Sequence, residues 1–333
     1  MSRLTGRLTA GLVAYVLCLG FAAAQDADRV LLRYQWNAGD EITWQVVSET
    51  TGTVTMRDLT QDPVAETTTE VWTRATMPMS LVIEAVDADG NGTISYRLGP
   101  IDMDILQGGQ QQYMRIDPEA GTMTINGEEQ ELPEHMMPGL LGDMKMVISP
   151  RGEMLSVHMP EGAGMGDFFG GMDMGQLLRM SQQTQMTFPE QPVSVGYSWG
   201  TSVAAPFGAE VSDTFDTTVV ATMAGLENVD GVQCARIDMV GAMDIAELPM
   251  GLGGGPGPLP EGMEMHMGPM HISIQGSSLF DPAAGKIVSV NATVLMDMDQ
   301  HISGTAEGPE GPQQVDSEIS VRDMLIDTTV TPM

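Results

Sequence analysis

The chain has 333 residues, of which 14 are basic and 45 acidic, giving a formal net charge of −31. Acidic charge spread this evenly repels phosphate backbones and anionic bilayer surfaces, which excludes nucleic acid and acidic membranes as partners. Aromatic residues make up only 5% of the chain while methionine reaches 30 residues, so flexible thioethers and aliphatics rather than rigid rings must fill its interior.

Residues 1–24 read as a secretory signal. Arg3 and Arg7 form a basic start, an apolar run follows, and Ala22, Ala23 and Ala24 form a small-residue exit for cleavage. The run is short for a membrane span. Tyr15, Val16 and Leu17 ahead of Cys18 lack the small residues of a lipoprotein box. The expected product is an exported protein, periplasmic or extracellular, with no stable span after cleavage. Cys234 is then the single remaining cysteine, so no internal disulfide can form. Its setting, "GVQCARIDM", predicts a buried, inert thiol.

Residues 25–160 form a first β-rich half and residues 193–333 a second. Each half opens with a glycine followed shortly by a tryptophan: Gly39 and Trp44, then Gly196 and Trp199. Each continues through an apolar run to an Asp-Gly pair, and each then carries D-P-x-A-G, as "RIDPEAGTMTI" and "LFDPAAGKIVSV". Asp and Pro open such turns and Gly takes the left-handed position. The shared order predicts two duplicated halves.

Period-two alternation marks half-buried antiparallel strands. Val288, Val290, Ala292, Val294, Met296 and Met298 share one face, with Leu295 the exception on the other. "MKMVISPRGEMLSVHM" predicts a hairpin turning at Pro150 and Gly152. In "EISVRDMLI" the apolar phase shifts between Val321 and Met324, as a bulge produces. Between the halves, residues 161–192 predict a Gly/Met-rich loop and one short central helix. Asp173 caps it, Gln176 answers, Met174, Leu177 and Leu178 give the spacing, and Pro189 closes the region. Residues 250–262, "MGLGGGPGPLPEG", predict a mobile loop.

Two constellations suggest metal chemistry. In "DADGNGTISYRL", Asp87, Asp89 and Asn91 fall at positions 1, 3 and 5 of a calcium loop and Gly92 at position 6. Leu98 stands where the bidentate carboxylate belongs, so a hairpin turn is the expectation. In "EGMEMHMGPMHISI", Met263, Met265, His266, Met267, Met270 and His271 offer the soft ligands that suit Cu(I) or Ag(I). A strand would point Met263, Met265 and Met267 to one face and His266 to the other. Methionines also alternate at other places that lack histidine, as in "DMKMV" and "LMDMD", so a mobile loop entering an apolar strand is the competing reading.

No G-x-S-x-G, H-E-x-x-H, phosphate-binding glycine loop or paired-cysteine motif occurs. His135, His158 and His301 stand isolated in the sequence. The expectation is a protein that is not an enzyme and needs no cofactor.

The order of "YQWNAGDEITWQV", "VDADGNGTISYRL", "MVISPRGEMLSV", "FPEQPVSVGYSWG" and "GSSLFDPAAGKIVSV" resembles an uncharacterised bacterial family of exported, β-rich proteins, a domain of unknown function. The resemblance covers most of the mature chain and implies no activity and no catalytic residue. The implied fold is mainly β, with curved antiparallel sheets in a half-barrel or sandwich, distantly resembling the half-barrels of periplasmic lipoprotein carriers. Such a concavity, floored with methionine, valine and leucine, suits an apolar or lipid-like ligand. A purely structural or protein-interaction module is the remaining alternative.

Overall fold

The computed structural model describes residues 29–132, 144–158, 187–202, 215–245, 248–249, 263–308 and 311–333. Sixteen strands among them form one antiparallel sheet. In chain order they are β1 (Glu41–Asp58), β2 (Ala65–Val86), β3 (Gly92–Leu98), β4 (Ile101–Gln107), β5 (Gln110–Asp117), β6 (Thr122–Ile125), β7 (Glu128–Glu131), β8 (Met144–Ile148) and β9 (Met154–His158). Then follow β10 (Ser198–Ser202), β11 (Phe215–Val229), β12 (Val232–Ile245), β13 (Leu248–Pro249), β14 (Met263–Asp281), β15 (Lys286–Gly308) and β16 (Gly311–Pro332). The spatial order is β10-β11-β12-β14-β15-β16-β1-β2-β4-β5-β6-β7, so both sequence halves enter one sheet and meet where β16 pairs with β1. The sheet is open and curved. No helix among the described residues is long and apolar enough to cross a membrane. The residues expected to form the signal peptide (1–24), the short central helix (173–186) and the loop 250–262 lie outside the described residues.

Turn chemistry sets the hairpins. Asp230 and Gly231 take φ of 51° and 87° and join β11 to β12 through a two-residue loop, the twist-matched solution for antiparallel strands. The Asp281 carboxylate accepts from the Ala283 and Ala284 amides at 2.8 and 3.0 Å, and Gly285 (φ 63°) returns the chain into β15. Asp117 and Gly121 repeat this between β5 and β6. The predicted hairpin of β8 and β9 forms with Gly152 at φ 86°.

Shared turns do not produce shared halves, and the expected duplication is not reproduced. The return strand of β2 breaks at Gly99-Pro100 into β3 and β4, and the sheet forks there. β3 carries on to β8 and β9, whereas β4 carries on to β5. Its counterpart β12 runs unbroken for 14 residues and does not fork. The physical cause is local. Gly99 bonds back to the Pro78 carbonyl at 2.8 Å, and a Cβ on Gly99 would lie 2.5 Å from Pro78 Cγ. Proline supplies no amide to continue the ladder, so pairing restarts beyond it.

The predicted bulge is present. Asp323 takes φ of 51°, the β1–β16 register slips between Thr51 and Thr53, and the Asp323 amide donates to Asp297 at 2.7 Å. The slip keeps Val321 and Met324 on one face, opposite Val54 and Met296 respectively.

One end of the sheet is tied together by residues 30–37. Tyr34 donates its amide to Pro150 in the β8–β9 turn at 2.7 Å, and Gln35 donates to Gly285 in the β14–β15 turn at 3.1 Å. Those turns lie about six strand spacings apart along the sheet, or roughly 29 Å, while neighbouring Cα atoms are about 3.8 Å apart. Two adjacent residues reach both only because the sheet curls around them. Leu32, Phe188, Met223, Ile237 and Phe280 pack into one buried cluster at this end, and Leu81, Ile83, Ile94, Met146 and Ile148 into another. Tyr34 packs on the first and Trp36 on the second, with their rings stacked at 4.8 Å. The face that carries these clusters is therefore the inside of the curve.

Candidate functional site

Register assigns each residue of the long strands to the inner or outer face, because side chains alternate along a strand. From the tied end outward, β1 places Ile42, Trp44, Val46 and Val54 inside, opposite Leu81, Met79, Met77 and Thr69 of β2. On its other side, Val46 and Thr50 face Val330 and Ile326 of β16. Val290, Val294 and Met296 of β15 continue the row, and Ile274 and Ile272 of β14 extend it to Gly241 and Met243 of β12. The alternation expected from Val288 to Met298 is thus the inner row of β15.

The outer face carries polar and charged pairs beside a few exposed apolar residues, among them Val220 opposite Val240 and Leu106 opposite Trp72. Trp72 donates Nε1 to Glu49 at 2.8 Å, and Thr43 and Ser80 meet at 3.1 Å. Arg57 bonds Glu66 at 2.9 Å, Arg115 bonds Asp102 at 3.0 Å, and Arg322 bonds Asp299 at 2.5 Å. These exposed pairs each contribute little. They do commit the outer face to water.

Inner residues beyond the tied end are covered much less than the end clusters. Phe280, Ile83 and Ile94 are wholly buried at the end. Across the span of β14, β15, β16 and β1, Ile272, Val294, Met296, Met324 and Ile326 are only half-buried, and Val321 alone in that row falls to 6% exposure. The result is a curved apolar trough, stoppered at one end. Unbranched methionine thioethers let such a surface adapt to irregular apolar shapes.

The six residues singled out as soft ligands are distributed over both faces. Met263, Met265 and Met267 stand opposite Gly304, Ile302 and Gln300, and Met270 stands opposite Met298, all inner positions. His266 is an outer position directly opposite His301, and His271 is bonded through Nδ1 to Asp244. His301 in turn bonds Asp316 at 2.7 Å. The sequence shows His301 as isolated because its partner lies 35 positions away and only the β14–β15 register brings them opposite. No group of three or more His, Cys, Asp or Glu residues among the described residues is arranged to hold a metal ion.

The calcium-like segment is a hairpin turn between β2 and β3. Asp87 accepts from the amides of Asp89 and Asn91 and from the Asn91 side chain, each at 2.9 Å. The Asn91 side-chain bond leads the interactions that hold this carboxyl below the usual carboxylate range. Leu98, where a calcium loop would need its closing carboxylate, is the last residue of β3. Cys234 is fully buried, with its thiol 3.8 Å from the Val232 carbonyl, and burial pushes its pKa up. Its burial matches the expectation for a cysteine in an apolar strand.

A separate small cleft of about 440 Å³ lies beside β10, lined by Arg151, Glu190, Gln191, Tyr197 and Trp199 among others. The sequence gives no sign of it, because its walls come from three separate segments.

No family model and no curated protein matches this chain. Among solved structures it is similar to lipovitellin, in a study of that protein's lipid–protein interactions, at 7% identity and a TM-score of 0.40. That match covers 89% of this chain and 25% of the other, so the chain spans about a quarter of lipovitellin. It is also similar to OpdL of Pseudomonas aeruginosa at 8% identity and a TM-score of 0.20, over 88% of this chain and 99% of the other. A DUF1329 family protein of Desulfovibrio piger matches at 10% identity and a TM-score of 0.13, over 86% and 85% of the two chains. At these values none of the likenesses defines a shared fold or an activity.

Proposed function

We propose that this chain is an exported, non-enzymatic envelope or extracellular protein that holds an apolar, lipid-like ligand along the inner face of its curved sheet. The observation that carries the reading is the group of half-buried apolar inner residues Ile272, Val294, Met296, Met324 and Ile326 on three neighbouring strands, on a protein whose opposite face carries charged pairs. Water against such a row is unfavourable, and an acyl chain laid along it gains about 0.8 kcal/mol for each methylene buried. Sixteen buried methylenes would gain about 13 kcal/mol, which after a cost of about 5 kcal/mol for immobilising the chain leaves about −8 kcal/mol, a micromolar affinity. The basic start, apolar run and Ala22–Ala24 exit support export. N-terminal sequencing of protein recovered from the periplasm or medium should find residue 25 first, and a mature chain still beginning at Met1 would remove that part of the reading.

Displacement of a fluorescent fatty acid from the purified protein tests the ligand. Saturable micromolar binding is expected, with a loss of at least tenfold when Met296 and Ile326 are both replaced by Asp. Absence of saturable binding leaves a structural or protein-interaction role.

A second reading, Cu(I) or Ag(I) held by thioethers, draws on the placement of Met263, Met265 and Met267 at successive inner positions of β14. Anaerobic Cu(I) titration should then show simple stoichiometry that disappears when all three become Leu. Binding that survives the triple change excludes this site.

A further inference from the structure

In a chain with 14 basic residues against 45 acidic ones, two guanidinium groups are brought together at the tied end. Arg33 donates Nη1 to the Leu32 and Pro189 carbonyls, both at 2.6 Å, and Nη2 to the Glu190 carbonyl at 2.7 Å. Arg151 donates Nε to the Phe188 carbonyl at 2.8 Å. Burial and the nearby Arg151 charge lower the Arg33 pKa, while Glu190 raises it. The carboxylate that answers this pair is that of Glu190, 3.1 Å from Arg151 Nη1, and its side chain is 83% exposed. An ion pair so exposed is weak. The Glu190 carboxylate is therefore a replaceable partner for a site that carries excess positive charge.

The cleft over this site has a chemically divided wall. Tyr197 and Trp199 form one side, with ring centroids 6.3 Å apart and planes 27° from parallel. Thr187, Glu190, Gln191 and Arg151 form the other. At about 440 Å³ the cleft lies within the range of small-molecule sites. Aromatic faces accept the C–H edge of a ring, the amide and hydroxyl groups match hydroxyls, and a guanidinium selects a carboxylate or phosphate. The strongly negative protein disfavours multiply charged ligands. We propose that this cleft binds an acidic sugar: one ring against Tyr197 and Trp199, and one carboxylate on Arg151 in place of Glu190. The site is separate from the apolar trough, since it draws on β10, the 187–191 segment and the β8–β9 turn at the tied end, where Tyr197 and Trp199 pack against the first buried cluster, rather than on the half-buried span of the long strands.

Calorimetry on the full chain with glucuronic acid, glucose and acetate as probes tests this, with the fluorescence of Trp199 as a second readout. Glucuronic acid should bind at sub-millimolar concentration, and glucose and acetate should each bind at least tenfold more weakly. Replacing Arg151 with Gln should weaken glucuronate binding at least tenfold. Because Arg151 also holds the Phe188 carbonyl, the deciding variant is Glu190→Gln, which touches an exposed side chain. It should leave the thermal midpoint unchanged and tighten glucuronate binding threefold or more by removing the internal competitor. Equal affinity for glucose, equal affinity for acetate, no binding of any probe, or no tightening in Glu190→Gln would each overturn the proposal.

Discussion

The tied end and the open span of the sheet share strands, registers and residue types, yet they differ in how the apolar face is covered. At the tied end the sheet curls around Leu32, Tyr34 and Trp36, and Phe280 becomes wholly buried among Tyr34 and Phe188 at ring separations of 5.5 and 4.9 Å. In the span, Met296 and Ile326 face inward on the same sheet and stay half-buried. An apolar strand face thus becomes core chiefly where another segment crosses it, Val321 being the exception in the span. The difference assigns stability to the tied end and leaves the span as the face on which the proposed ligand would lie.

The largest effect that separates them is cavity formation. Phe280→Ala should cost about 3–5 kcal/mol, whereas Met296→Ala, already in contact with water, should cost under half of that. Urea unfolding of both variants checks the contrast, and equal losses would break it.

Alkaline unfolding should be next, on the order of 2–3 kcal/mol, and should come mainly from the tied end, with a smaller part from the exposed Tyr113 hydroxyl, which donates to Asp102. Burial pushes the Tyr34 hydroxyl well above its ordinary value, with a smaller contribution from Tyr96, and burial pushes Tyr96 itself up to about 12. Folded pKa values raised in this way mean that stability is intact below the unfolded tyrosine pKa of about 10. Above it, the unfolded chain releases protons that the folded chain retains, so stability falls as pH climbs toward the folded value. Tyr34→Phe should flatten that fall between pH 10 and 12. A curve identical to that of the parent protein would count against a buried hydroxyl there.

Close packing at the tied end gives a third test. A Cβ on Gly92 would lie 2.7 Å from Trp36 Cγ, so Gly92→Ala should destabilise by about 1–3 kcal/mol and shift the tryptophan emission. The smallest effect lies in the span. Asp323 holds a left-handed conformation at the bulge. Asp323→Val should cost about 1–2 kcal/mol, because a branched side chain resists that conformation. The variant should also weaken fatty-acid binding if the bulge keeps Val321 and Met324 on one face.

Much of the local structure was legible. The alternation from Val288 to Met298, the phase shift before Met324 and the Pro150–Gly152 hairpin all depend on neighbours in sequence, and each appears in the fold. Burial of Cys234 followed from its apolar surroundings. The duplication failed because repeated turns fix where a chain reverses but not which strands then pair, and Pro78 with Gly99 diverts one half into a fork. The site was legible only in outline. Methionine abundance pointed to an adaptable apolar surface, while the His266–His301 juxtaposition depends on register, and the cleft at Arg151 and the approach of Arg33 to Pro189 and Glu190 depend on contacts between distant segments.

By itself the sequence determined the strands, their turns and the split between an apolar and a polar face, because those are written in intervals of two to five residues. Only the tertiary structure decided that both halves enter one sheet through β16 and β1, that residues 30–37 curl one end of that sheet shut, and that the rest of the inner face stays half-open. The reason is physical. Alternation sets which way a side chain points, whereas burial depends on what distant segment arrives to cover it.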